Sequence, residues 1–315
     1  MEPERDLFGN KIDLFESALA RYGVWPMTVW PVDFQDKMVQ ELKARIGDVG
    51  YATPTSAPRA GRAPYASERS SGNVPHWSKS TREGCFTDPA NDDSVYRGKI
   101  TASIFNPAVA AWVLNLFGPS SGTVFDPFAG GGTRAIMTRK AGLRYVGTEL
   151  RADECAAVRA RLTAVGITEG GEIIQADARK ADMVRTASAA FVFTCPPYWT
   201  LEQYEGGAGD LSMLDDYSSF LSALGEVVEQ TRRILMAGFK SVWVVGLHRH
   251  PDGALAPLHH DVARLHTQEG HFRLVEEVIL WQKNNGSIQR VGNFEKGQGH
   301  LVRCHEYALV FEKIW

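Results

Sequence analysis

The stretch TVFDPFAGGGTRAIMTRKAG, Thr123 to Gly142, decides how the chain is organised. Thr123-Val124-Phe125 is a short β-favouring run that stops at Asp126-Pro127. Three consecutive glycines, Gly130 to Gly132, follow before a helix-favouring segment that closes on Gly142. The order is strand, glycine-rich turn, helix. Glycines let a backbone approach a ligand closely, and free N–H groups at the start of a helix receive negative groups.

The same alternation extends outward. NPAVAAWVLNLFG offers Asn106 as N-cap, Pro107 at the first helical position and Gly118 as the stop. RYVGTELR is a strand ending in Glu149, ADECAAVRARLTAVG a helix, and EIIQADAR a strand running to Asp177. AFVFTCPPY is a further strand. LDDYSSFLSALGEVVEQTRRILMAG carries one apolar stripe through Phe220, Leu224, Val227 and Val228, and reads as a long amphipathic helix. SVWVVGL is a buried strand, ALAPLHHDVARLHTQEG a helix, and RLVEEVILWQ and EYALVFEKI two closing strands without a helix between them. Strands alternating with helices predict a doubly wound α/β domain with a parallel sheet. The helix-free final pair predicts an antiparallel strand at the sheet edge.

The first 96 residues read differently. DLFESALARYG and DFQDKMVQELKARIGDVG have helical patterns. From Tyr51 to about Arg97 the chain is rich in Ser, Pro, Gly and Arg and has no periodicity, as expected of a loop or arm. The division expected is 1–96, an N-terminal accessory region and basic arm, and 97–315, the α/β domain. With 34 basic and 37 acidic residues the formal charge is −3, so nucleic-acid binding would need a local basic face. The arm supplies one, with Arg59, Arg62, Arg69, Lys79 and Arg82 interleaved with Tyr65 and Trp77. No apolar run reaches the roughly 18 residues of a membrane span, and the charged N-terminus does not read as a signal peptide. The four cysteines are far apart, with no CxxC pair, so neither a metal site nor a disulfide framework is expected. A cytoplasmic protein with free thiols is the plain expectation.

In open α/β sheets ligands bind beyond the carboxyl ends of the strands. Three strand ends carry suitable groups: the glycine turn, Glu149 placed for ribose hydroxyls, and Asp177 for an adenine amine. The spacing GxGxxG is absent, and no Gly-Lys-Ser/Thr follows the turn, which disfavours dinucleotide and triphosphate sites.

VFDPFAGGGT resembles motif I of S-adenosylmethionine-dependent DNA methyltransferases of the amino group. CPPY, Cys195 to Tyr198, is similar to their motif IV, and HEYALVFEK resembles their last core strand. The likeness spans about Arg97 to Trp315, and CPPYWTLEQYEGGAGDLS also resembles a group of phage-type DNA methylases. It implies a Rossmann-like, seven-stranded methyltransferase sheet with an N-terminal helical and loop extension, and S-adenosylmethionine as cofactor. Asn106, Asp126, Phe128, Gly130, Gly132 and Thr133 would hold its methionine part, Glu149 the ribose, and Asp177 with Ala178 the adenine. The substrate implied is DNA, with the target base flipped into the CPPY pocket. No obligate protein partner is evident.

Motif IV usually begins with Asp, Asn or Ser, whereas this chain has Cys195. A thiol is a poor hydrogen-bond acceptor, and three readings stay open. In the first, an exocyclic amine (N6 of adenine or N4 of cytosine) is methylated, with the Pro196 carbonyl and Glu202 as acceptors, Pro197 stiffening the turn, and Tyr198 and Trp199 as stacking surface. In the second, Cys195 attacks carbon 6 of cytosine to activate carbon 5, and Glu202 holds the base edge. In the third, Cys195 is merely a small buried residue, and the chain binds cofactor and DNA without catalysis. RNA or a protein glutamine is an alternative substrate. Asp210 and Ser212 are expected to line the pocket. Arg249, Arg290 and Lys296 are expected to contact DNA. His248 and His250 read as solvated loop histidines.

Overall fold

The computed structural model describes residues 28–31, 105–201, 204, 206–249, 254–281 and 304–315. Its first strand is β1, Val29–Pro31. Helix α1, Pro107–Phe117, begins where the Asn106 side chain accepts from the Ala108 N–H at 3.0 Å and Pro107 occupies the first turn. It ends at Gly118, where the Leu114 carbonyl lies too close for any Cβ. Then come β2, Thr123–Asp126; α2, Thr133–Lys140; β3, Arg144–Glu149; α3, Ala152–Ala164; and β4, Gly171–Gln175. β5 covers Ala189–Thr194. α4, Tyr217–Ile234, starts at Asp216, whose carboxylate accepts from the Ser219 N–H at 2.8 Å. β6, Leu235–Val245, follows α4 with no intervening residue. β7, His248–Arg249, pairs with β8, Leu255–Ala256, and is followed by α5, Leu258–Thr267; β9, Phe272–Trp281; and β10, His305–Lys313.

The main sheet runs β1-β9-β10-β6-β5-β2-β3-β4. All its pairings are parallel except those of β10, which is antiparallel to both β6 and β9. The doubly wound, Rossmann-like α/β class expected from the sequence is what the chain adopts. Two details differ from expectation. Among the described residues the sheet has eight strands rather than seven, because Val29–Pro31 adds to the outer side of β9. The antiparallel strand lies inside the sheet, not at its edge. β10 inserts between β6 and β9, which buries Ala308 to Phe311 completely. An edge position would expose such an apolar run.

Side chains alternate across the sheet. Phe191, Phe193, Val242, Val244, Ala308 and Val310 face α1, α2 and α3, while Val192, Trp243, Val245, Leu309 and Phe311 face α4 and α5. Each fully buried ring or branched chain contributes about 1.5–3 kcal/mol relative to exposure. Trp30 of β1 stacks on Trp112 of α1, with centroids 5.3 Å apart, and both rings are fully buried. Lys313 donates to the carbonyls of Arg232 and Leu235, each at 2.7 Å, and so satisfies acceptors at the end of α4. The order of strand addition reverses about β2: β3 and β4 build outward on one side, and β5 is added on the other, parallel to it. The carboxyl ends of β2 and β5 therefore flank the switch-point crevice. The helical patterns expected before Gly50 and the basic arm lie outside the described residues.

Candidate functional site

The site is organised around a buried carboxylate at the end of β2. Asp126 is fully buried. Its Oδ1 accepts from the Phe128 N–H at 3.1 Å and the Thr194 hydroxyl at 2.7 Å. Its Oδ2 accepts from Arg134 Nε at 2.7 Å and the Tyr145 hydroxyl at 2.9 Å. Burial works against the Arg134 cation, and the adjoining Asp126 carboxylate more than offsets it. Arg134 also donates to the Phe128 carbonyl and lies over the Phe105 ring at 4.8 Å. Asp126 thus turns inward and ties the glycine turn, α2, β3 and the last residue of β5 together.

The turn itself needs glycine at two positions. Gly130 has φ +50° and Gly132 φ +82°. A Cβ on Gly132 would lie 2.6 Å from Val158, whereas one on Gly130 would meet only the Phe128 carbonyl at 3.8 Å. Gly132 is therefore fixed by packing on α3, whereas Gly130 is not tightly packed. Thr133, the first residue of α2, is buried, and the half-buried Phe128 ring meets Trp243 edge-on.

Glu149 and the turn are in contact. The Gly130 N–H donates to Glu149 Oε2 at 3.1 Å, and the Arg151 N–H to Oε1 at 3.0 Å. Burial pushes the Glu149 carboxyl up, and these two bonds only partly counter it. Asp177 caps a short helical turn, and Arg179 grips both its oxygens, with Nη2 at 2.6 Å from Oδ2. Burial raises this carboxyl, but the Arg179 bonds prevail and hold it below the usual range. Ala178 is buried beside it. A Cβ on Gly209 would stand 3.1 Å from Asp177 Oδ2, and one on Gly206 would stand 2.8 Å from the Leu150 side chain. The loop after the double proline therefore packs over the ends of β3 and β4. Leu150 was not singled out in the sequence, although its place directly after Glu149 was a signal.

Beyond β5 the chain enters Cys195-Pro196-Pro197-Tyr198. Cys195, Pro197 and Tyr198 are half-buried, and Pro196 is buried. The Tyr198 hydroxyl donates to Glu306 Oε1 at 3.0 Å and lies 3.3 Å from Cys195 Sγ. Burial first, and then the proximity of Cys195 and Glu306, raise the Tyr198 phenol well above its ordinary value. The ring packs so tightly on Gly246 that a Cβ there would be 2.6 Å from it. Because β10 runs antiparallel, its first residues, including Glu306, arrive at the carboxyl edge of β5 and β6. Sequence reasoning missed Glu306, which lay inside the recognised strand HEYALVFEK.

Trp199 adopts φ +53°, is 5% exposed, and donates from its indole to the Leu214 carbonyl at 2.8 Å. Its ring contacts Tyr217 and His248 at 5.3 and 5.6 Å. This ring is an anchor between the turn and α4. His248 also pairs with the Thr200 hydroxyl at 3.2 Å, so it is packed rather than a solvated loop residue. Asp210 accepts from the Ser212 N–H and hydroxyl and from the Gly206 N–H, at 2.9, 2.6 and 2.9 Å. Asp210 and Ser212 are buried and shape the loop. Arg249 sits half-exposed on β7, opposite Leu255. Glu202, His250, Arg290 and Lys296 lie outside the described residues. Among the described residues, no helix is long and apolar enough to cross a membrane.

Comparison with protein-family models and with curated proteins gives no match. Among solved structures the chain is similar to TrmN from Thermus thermophilus, at 15% identity and a TM-score of 0.45, over 67% of this chain and 49% of that one. It is similar to a candidate DNA modification methylase, also from Thermus thermophilus, in complex with S-adenosylmethionine, at 29% identity and a TM-score of 0.33, over 44% of this chain and 54% of that one. A geranyl diphosphate methyltransferase in complex with S-adenosylmethionine is similar at 14% identity and a TM-score of 0.45, over 66% of this chain and 86% of that one. The chain thus spans about half the length of the first two. At these identities and TM-scores the functional reading rests on the chain's own residues.

Proposed function

We propose that this chain is an S-adenosylmethionine-dependent methyltransferase that modifies an exocyclic amine of a base in DNA. The observation that supports this most is the convergence of two sites on one sheet edge. The glycine turn, Glu149 and Asp177 lie on one side of the switch point, the Cys195–Tyr198 turn lies on the other, and the Asp126 carboxylate joins them through Phe128 and Thr194.

The residues fit such a cofactor. Gly130, half-buried, would bring an added Cβ no closer than 3.8 Å to any neighbour, which leaves room for a ligand to approach the backbone there. The Glu149 carboxylate is held in place by two backbone N–H groups and can accept from ribose hydroxyls. Asp177, kept ionised by Arg179, can accept from an adenine amine. When bound, the cofactor supplies a methyl group on a sulfonium, an electrophile that needs no activation by the protein.

The acceptor side must orient a weak nucleophile. The lone pair of a base amine is delocalised into the ring, and acceptors for its hydrogens make the nitrogen more nucleophilic. Two consecutive prolines fix the backbone from Pro196 to Tyr198, so the Pro196 carbonyl is aimed before substrate arrives. Tyr198 is immobilised by Gly246 and Glu306 and offers a ring for a flipped base. Arg249, Arg290 and Lys296 supply positive charge for the phosphate backbone.

The test is transfer from methyl-labelled cofactor to DNA, followed by digestion to nucleosides and identification by mass and retention. N6-methyladenine or N4-methylcytosine is expected. 5-Methylcytosine would replace the amine reading with covalent catalysis at Cys195, and transfer to RNA or protein alone would refute DNA as substrate.

A further inference from the structure

The hydrogen-bonded row Cys195–Tyr198–Glu306 leaves one question open in the acceptor turn: where its protons sit. A phenol has one proton. The Tyr198 proton is committed to Glu306 Oε1 at 3.0 Å, so in the contact of 3.3 Å between Tyr198 Oη and Cys195 Sγ the sulfur is the donor. The row therefore reads S–H to phenol oxygen, phenol O–H to carboxylate. Loss of the thiol proton would set a thiolate against a phenol oxygen whose hydrogen already points away, about 6 Å or less from the carboxylate oxygen. Like charges at that range disfavour each other's ionised forms. Among the described residues, Arg134 of α2 interacts with Cys195 and is paired to Asp126 at 2.7 Å, so that pair brings little net charge.

We propose that Glu306 is a positioning residue of the acceptor site that holds Cys195 as a neutral thiol donating to Tyr198, and so directs the site to amine methylation rather than covalent attack on a pyrimidine ring. This rests on the reading of the Cys195–Tyr198 turn as the acceptor site. It also gives a physical role to the residue that departs from the motif. The carboxylate that motif IV lacks at its first position is present, but it arrives on β10 and is coupled through the phenol. Only the antiparallel insertion of β10 brings it there.

The test reads thiol reactivity, with neither cofactor nor DNA present. The full chain is treated with iodoacetamide across pH 6 to 10, and alkylation of the Cys195 peptide is followed by mass spectrometry. In the wild type the rate rises steeply through pH 8 without levelling off. In Glu306→Gln, which can still accept the Tyr198 hydrogen bond but lacks the charge, the rate at pH 7 rises about tenfold because the opposing charge is gone. Glu306→Asp keeps the charge and stays within about threefold of the wild type. A Glu306→Gln rate equal to or below the wild type would overturn the proposal and make Glu306 a proton acceptor for the thiol or a bystander. A wild-type rate that levels off below pH 8 would overturn it without any variant. Because thiol alkylation and the identity of the methylated nucleoside are separate readouts, failure of this inference is distinguishable from failure of the amine reading.

Discussion

Asp126→Asn should destabilise the protein far more than loss of a single hydrogen bond. The carboxylate is fully buried and receives four donors, one of them the guanidinium of Arg134, whose side chain is 6% exposed. Asparagine keeps one acceptor oxygen and places an NH2 group where the other was, so donors face donors. The Arg134 cation is then left buried without its counter-charge. Breaking a buried ion pair from one side costs about 3–5 kcal/mol, a large part of the roughly 5–15 kcal/mol of a typical domain. Urea unfolding followed by tryptophan fluorescence, extrapolated linearly to water, measures the loss. Thr194→Val is the control: it removes one hydroxyl donor from the same carboxylate and leaves the ion pair intact, at a cost of about 1.5–3 kcal/mol. A loss below about 1 kcal/mol for Asp126→Asn, with the native spectrum retained, would refute the view that this carboxylate organises the switch point.

Acid sensitivity has an identifiable source. His266 is buried on α5, stacked on Phe311 with centroids 3.9 Å apart, and its pKa falls to about 3 through burial. The unfolded chain binds that proton near pH 6.5, so stability is full above that pH and declines as pH drops toward 3, by up to about 1.4 kcal/mol per unit. His266→Phe should flatten the slope between pH 6.5 and 5; identical slopes in both proteins would refute the assignment. His259, lowered to about 4 chiefly by burial, adds in the same direction. Gly132→Ala combines a left-handed backbone with a collision on Val158, and should cost about 2–4 kcal/mol. Val158→Ala in the same background should recover part of it, and simple additivity in the double-mutant cycle would exclude direct contact.

How much of the site could be read from the chain depends on whether its parts are local. The Asn106 cap and the glycine turn are interactions within a few residues, and they sit where the sequence indicated. The continuous apolar runs of β5, β6 and β10, buried on both faces of the sheet, and the apolar stripe of α4 made element type and fold class legible. The contacts that define the site's electrostatics span many residues. Asp126 meets Thr194 across 68 positions and Tyr198 meets Glu306 across 108, and no local pattern encodes such pairs. Trp199 shows the same limit from the other side. Its place beside the turn suggested a stacking surface, whereas packing with Tyr217, His248 and the Leu214 carbonyl makes it an anchor.

The sequence by itself determined the alternating α/β elements, the glycine turn and the acidic strand ends, because periodicity, caps and backbone constraints act over short range. Tertiary structure alone decided that β1 extends the sheet, that the antiparallel β10 enters between β6 and β9 rather than at an edge, and that Glu306 therefore reaches Tyr198. Strand order and direction are set by which apolar faces can be buried together across the whole chain. Reversing one strand carries its first residues, rather than its last, to the edge where chemistry occurs.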